Sequence, residues 1–168
     1  HEATVDLAES LASTGVSRVG EAAAAAVRIE SGVPLFPIDM DTETLPLEAG
    51  IEGRAINFDK GCYVGQEVVI RILHRGQGRV ARRLTGLVFH GWDGPDDLKV
   101  LRRAVVLADG KEVGFLTSAA ISPTLRCCVA LGYLHRQIAD TSGRSVEITV
   151  DDKQLQGVVR ALPLVVSG

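Results

Sequence analysis

Cysteine, methionine and aromatic residues are scarce in this chain of 168 residues, which has 3 cysteines, 1 methionine, 4 phenylalanines, 2 tyrosines and 1 tryptophan. Three cysteines, with Cys127 and Cys128 adjacent, do not make a disulfide framework, and the odd count fits a reducing cytoplasm. There is no Cys-x-x-Cys pair, and His1, His74, His90 and His135 fall on separate segments without ligand spacing, so no bound metal is expected. The longest apolar runs, residues 22–27 and 127–132, are far too short for a membrane-crossing helix. A formal net charge of −3 gives no global attraction to nucleic acid or to an anionic membrane. Because the chain opens on His1 and its methionine is Met40, a C-terminal portion of a longer product is expected.

What is present is a packed globular composition, 46% apolar with a mean hydropathy of +0.18, enough for one good core or two small units. Thr4 is read as the cap of a first helix with an apolar stripe of Val5, Ala8, Leu11 and Ala12 that ends at Gly15. A second helix starts near Gly20 and runs through five alanines to about Ile29, since alanine is the best helix former and Gly32 and Pro34 then stop it. Residues 33–59 read as acidic, proline-interrupted loop with at most short strands or turns, their carboxylates solvated. From Arg79 the texture changes to strands at 80–89, 100–107, 113–117, 129–134, 146–150 and 155–162, separated by turn residues. Asp109-Gly110 is the clearest hairpin turn among these. The expectation is an α+β chain: a helical and irregular segment over residues 1–77, then a six-stranded antiparallel β-barrel over residues 78–168, joined near Gly76-Gln77-Gly78.

The densest chemistry is KGCYVGQE at 60–67. The spacing of Val68 with Ile72 and Val69 with Leu73, and the Glu67 and Arg71 pair, predict a helix over 64–73. Its start would lie beside Cys62, where unpaired amides, the helix dipole and Lys60 favour a thiolate. Such a group can be a nucleophile, a redox group or a transient ligand for a soft metal, and spacing does not choose among them. Five arginines between Arg71 and Arg83, with His74, form a local basic cluster that could meet phosphates or carboxylates. Without interleaved aromatics, stacking on single strands is not expected. Arg28 and Glu30, at the end of the second helix, read as ordinary surface charges.

KGCYVGQE, with VRIESGVP at 27–34 and LPLEAGIE at 45–52, resembles the YgfZ group of folate-binding proteins, in a superfamily with the glycine cleavage T-protein, an aminomethyltransferase. GFLTSAAISPTLRCCVALGYL at 114–134 resembles that superfamily's C-terminal barrel. The resemblance implies a tetrahydrofolate site walled by three domains and a role in maturing or repairing iron-sulfur enzymes, in the bacterial cytoplasm or the mitochondrial matrix. It makes Cys62 the functional thiol and Glu30 the pterin ligand, since a carboxylate can accept two parallel N–H bonds. Arg28, Lys60, Tyr63 and Gln66 are the further folate-binding candidates. The implied partners are folate and iron-sulfur client enzymes. The alternatives are a folate-dependent aminomethyltransferase and an RNA-binding module using Arg71 to Arg83. One departure is that Arg126 follows Ser-Pro-Thr-Leu where the family carries glycine; another is Cys127-Cys128, read as structural.

Overall fold

Two tight turns set the strand pairing. Asp109 and Gly110 have φ of 50° and 73°, the pair of positive values that a two-residue hairpin turn matching the strand twist requires. They join β2 (Val105–Ala108) to β3 (Lys111–Ser122). Asp151 and Asp152, at 48° and 63°, repeat this shape between β5 (Ser145–Val150) and β6 (Lys153–Arg160) without glycine, a conformation short carboxylate side chains tolerate. The computed structural model describes residues 2–57, 59–62, 64–74 and 78–166. With β1 (Arg82–Phe89) and β4 (Cys127–His135), the strands form a closed antiparallel barrel in the order β1-β4-β3-β2-β5-β6. Closure is made by β1 on β6, with Gly86 opposite Arg160 and Leu87 opposite Val159. A closed sheet leaves no unpaired edge.

The lumen is filled by Leu87, Phe89, Val106, Leu116, Ala130, Leu134, Ile148 and Val159. A second apolar layer lies outside the barrel, where Ala26 and Ile29 of α2 (Glu21–Glu30) pack on Leu84, Val88, Ala120, Val129, Leu131 and Tyr133. Strand β4 is therefore covered on both faces, and every residue from Cys127 to Leu134 is buried. This explains why CCVALGYL shows no alternation of apolar and polar residues. Cys128 points into the lumen cluster and Cys127 into the layer under α2. Ile29 is fully buried, and burying such a side chain stabilises by about 1.5–3 kcal/mol. Close strand approach requires glycine at 114, where a Cβ would lie 1.9 Å from the Tyr133 carbonyl oxygen.

Several expectations are corrected. The first helix, α1, spans Glu2–Ser13, so Thr4 is a helical position and not the residue before the helix. Residues 33–59, expected to hold at most short strands or turns, contain two short helical turns, α3 (Pro46–Ala49) and α4 (Glu52–Ala55), because Pro46 suits a first helical position and Gly50, at φ 67°, closes α3 in the left-handed region. Helix α5 is Gln66–His74 and starts after Gly65, whose φ of +88° is not helical. The expected strand 100–107 is a 3-10 turn at Leu98–Leu101, initiated by the Asp97 carboxylate accepting from Lys99 N–H, and only then β2. Its Leu101 is buried in the lumen cluster. Strand β3 runs to Ser122, well past the expected end, because a bulge at Thr117 breaks the alternation on which the sequence reading depends. The chain turns after β6 so that Leu162 and Leu164 pack against the layer under α2. A last short helix, α6 (Arg136–Ala139), links β4 and β5. Gly76 and Gln77 of the expected joint lie outside the described residues.

Candidate functional site

Arg28 and Glu30 stand at the C-terminal end of α2. Both read from sequence as surface charges, and both are instead engaged at the seam. The Arg28 guanidinium donates to Asp39 Oδ2 at 2.6 Å and to the Val33 carbonyl at 3.0 Å. The Asp39 side chain is fully buried, and it also accepts from Leu35 N–H at 2.9 Å, Thr117 Oγ1 at 2.5 Å and Ser118 Oγ at 2.6 Å. Adjacent strand residues normally point to opposite faces; the bulge in β3 lets Thr117 and Ser118 reach the same oxygen. Asp39 thus ties α2 and its following loop to the barrel wall by charge-assisted bonds.

Glu30 is held at the other end of this seam. Its carboxylate accepts from Ser122 Oγ at 2.5 Å and Thr124 Oγ1 at 3.3 Å, and its backbone carbonyl accepts from Leu164 N–H at 2.7 Å. Only 7% of the residue is exposed, and among the described residues no cation is ion-paired with it. A carboxylate has about four acceptor positions, so two hydroxyls leave it with capacity for further donors. Burial, and secondarily Glu30, push the Cys127 thiol above its ordinary pKa, and burial drives Cys128 up to about 12. Both cysteines are inert thiols in packed layers.

The described motif residues lie on the segment that leads into α5 and on its first turn. Lys60 and Cys62 are exposed on the segment between α4 and α5, and Gln66 opens α5, half-buried. Tyr63 lies outside the described residues. The structure therefore engages Arg28 with the loop after α2 and Glu30 with the barrel, and leaves Cys62 exposed. Among the described residues there is no group of three or more His, Cys, Asp or Glu side chains that could hold a metal ion, and no helix is long and apolar enough to cross a membrane. The basic cluster is partly neutralised, because Arg82 Nε meets Glu48 at 3.2 Å and Arg83 meets Asp140 at 3.3 Å; Arg75 lies outside the described residues.

Sequence reasoning missed Asp39, Thr117, Arg103 and Tyr133. Asp39 read as one of several solvated acids, and no local signal separates it from Asp41. Tyr133 falls within an apolar strand run. Its hydroxyl is buried without a hydrogen-bond partner among the described residues, and burial raises its pKa well above that of an ordinary phenol.

Residues 82–165 match the glycine cleavage T-protein C-terminal barrel domain. An aminomethyltransferase of Nostoc is 36% identical over 164 residues, covering 96% of this chain and 41% of that protein. An aminomethyltransferase of Halothermothrix orenii is 31% identical over 160 residues, covering 95% of this chain and 42% of that protein. The crystal structure of the glycine cleavage system aminomethyltransferase T from Bartonella henselae superposes with a TM-score of 0.76 at 26% identity, over 98% of this chain and 44% of that one. The chain thus spans about four-tenths of the length of these relatives. A closed six-stranded barrel over the matched residues, with α2 seated on it, agrees with this likeness: the chain belongs to the glycine cleavage T-protein family and carries its C-terminal barrel domain.

Proposed function

We propose that the chain is the C-terminal portion of a tetrahydrofolate-binding protein, with residues 1–77 forming part of the folate-binding domain and residues 78–168 the barrel. Glu30 carries this reading: a buried carboxylate, fixed by two neutral hydroxyls and with no ion-paired cation among the described residues, suits the amino and ring N–H groups of a pterin. Arg28, held by Asp39, stiffens the same helix end. Lys60, Tyr63 and Gln66 are proposed to complete the ligand's surroundings. The exposed thiol of Cys62, in KGCYVGQE, is the group through which the protein would serve assembly or repair of iron-sulfur enzymes, in the cytoplasm or the mitochondrial matrix.

Folate-dependent aminomethyl transfer is the second reading, favoured by relatives that bear the name aminomethyltransferase. Titration of tetrahydrofolate against the full encoded protein tests the shared premise. Glu30→Gln should weaken binding by about tenfold, the loss of one good charge-assisted interaction, while Cys62→Ala leaves it unchanged. Unaltered affinity in Glu30→Gln sinks the folate assignment. In a deletion strain, Cys62→Ala should fail to restore iron-sulfur enzyme activity; full restoration, together with methylene-tetrahydrofolate formation alongside the other glycine cleavage components, selects the transferase.

A further inference from the structure

Between the barrel wall and residues 37–44 lies a polar recess of about 100 Å³. Liquid water would fill that space with about three molecules, so it also has room for a very small solute. The Tyr133 residue is 3% exposed, and its partnerless hydroxyl lies within the electrostatic reach of Arg82, Glu48, Asp39 and Asp41. A buried hydroxyl in a native structure ordinarily has a partner. Arg103 stands over the Phe115 ring, 4.6 Å from its centroid, and makes no side-chain hydrogen bond or ion pair among the described residues. Its backbone is held at φ 70°, a left-handed conformation uncommon for residues other than glycine, by Arg103 N–H donating to the Leu116 carbonyl at 2.8 Å. Such a conformation persists where the surroundings over-determine it, and functional sites are a common setting.

The charges around the recess sort into matched and unmatched groups. Arg82 faces Glu48, and Asp39 is satisfied by Arg28 and three further donors. What remains without an ion pair among the described residues is one guanidinium, Arg103, and two carboxylates, Asp41, whose Oδ1 accepts from Thr44 Oγ1 and Glu43 N–H, and Glu43. Asp41 is exposed, and its pKa is held below the ordinary carboxylate range, first by the Thr44 hydroxyl and then by the Glu43 N–H, with Arg103 contributing. A simple anion would be drawn to Arg103 and repelled by the rim, and a simple cation would meet the reverse. A molecule bearing both charges satisfies both sides.

We propose that this recess binds a small zwitterion, an α-amino acid of glycine to serine size, its carboxylate on Arg103 and the Tyr133 hydroxyl and its ammonium on Asp41 and Glu43. The site is distinct from the folate reading. Asp39, at its floor, meets β3 at Thr117 and Ser118, whereas Glu30 meets the chain farther along at Ser122 and Thr124.

Calorimetric titration of the full encoded protein, without folate, tests the proposal using glycine, acetate and methylammonium. Glycine is expected to bind with a Kd of about 1 mM or tighter, and each half-ligand about tenfold or more weakly than glycine. Tyr133→Phe, Arg103→Gln and Asp41→Asn, each checked for an intact thermal transition, should each weaken glycine by about tenfold. No heat from glycine at such concentrations overturns the proposal. Acetate binding as tightly as glycine overturns it too, by showing a plain anion site, as does unchanged glycine affinity in the folded variants. The comparison among the three probes uses the unmodified protein, so it remains decisive if a variant fails to fold.

Discussion

Replacing Asp39 with alanine removes an acceptor of four hydrogen bonds, one of them an ion pair, at a fully buried carboxylate. Its partner Arg28 retains 17% side-chain exposure, so the orphaned guanidinium recovers only part of its hydration. Breaking a buried pair from one side costs about 3–5 kcal/mol, and this residual exposure argues for the lower end, about 3 kcal/mol. Against a typical domain stability of about 5–15 kcal/mol that is a large loss. At about 2–4 °C per kcal/mol for a chain of this size, the melting temperature should fall by about 6–12 °C. Urea denaturation followed by circular dichroism measures the free energy directly. Asp140→Ala is the control, since Asp140 meets Arg83 and Arg136 at a surface where all three side chains are about 41–42% exposed; such pairs contribute about 1 kcal/mol at most. A double replacement, Arg28→Met with Asp39→Ala, should cost less than the sum of the two single changes by about 1–3 kcal/mol, because they share one interaction. An Asp39→Ala loss below about 1 kcal/mol, or strict additivity with Arg28→Met, refutes the view that this carboxylate ties helix to barrel.

Thiol reagents should modify Cys62 quickly in the native protein and reach Cys127 and Cys128 only after denaturation, as mass spectrometry of alkylated peptides can read. Native-state labelling of Cys128 as fast as Cys62 contradicts the packing described. The same burial predicts an alkaline limit: the Cys128 pKa is raised in the folded state from 9.0 to about 12, so its contribution to stability is full below pH 9 and is lost progressively as pH rises toward 12. Stability that stays level over this range in the native protein, or falls equally in Cys128→Ala, counts against that assignment. Arg126 has φ 54°, so Arg126→Gly relieves a left-handed conformation that costs an ordinary residue about 1 kcal/mol. Its effect should fall between neutral and about 1 kcal/mol stabilising, because added freedom in the unfolded chain offsets part of the gain. Clear destabilisation in a urea melt argues that the arginine side chain makes a stabilising contribution of its own.

Short-range chemistry made much of the fold legible. The turn residues Asp109-Gly110 marked a hairpin, and the alanines fixed α2 to within a residue or so. The same positive φ at 126 accounts for the family's glycine there, a departure the sequence displayed without its reason. Errors fell where a local signal was overridden. Val100 and Leu101 favour a strand by type, yet the Asp97 side chain turns the backbone and Leu101 plugs the lumen. The bulge at Thr117 ended the alternating pattern five residues before the strand itself ended at Ser122.

The sequence by itself determined a strand-rich half built on turn chemistry, an alanine-rich helix before it, and a cysteine motif that singles out Cys62. Those are properties of neighbours along the chain, and backbone sterics and side-chain periodicity express them locally. Tertiary structure decided which charges matter. Thr117 and Ser118 lie 78 and 79 residues from Asp39, and Ser122 lies 92 residues from Glu30. Whether a carboxylate is solvated or becomes the buried link between helix and barrel depends on donors that only chain closure delivers. That the Tyr133 hydroxyl has no hydrogen-bond partner and Arg103 no ion pair among the described residues arises in the same way, because both depend on how the chain is assembled.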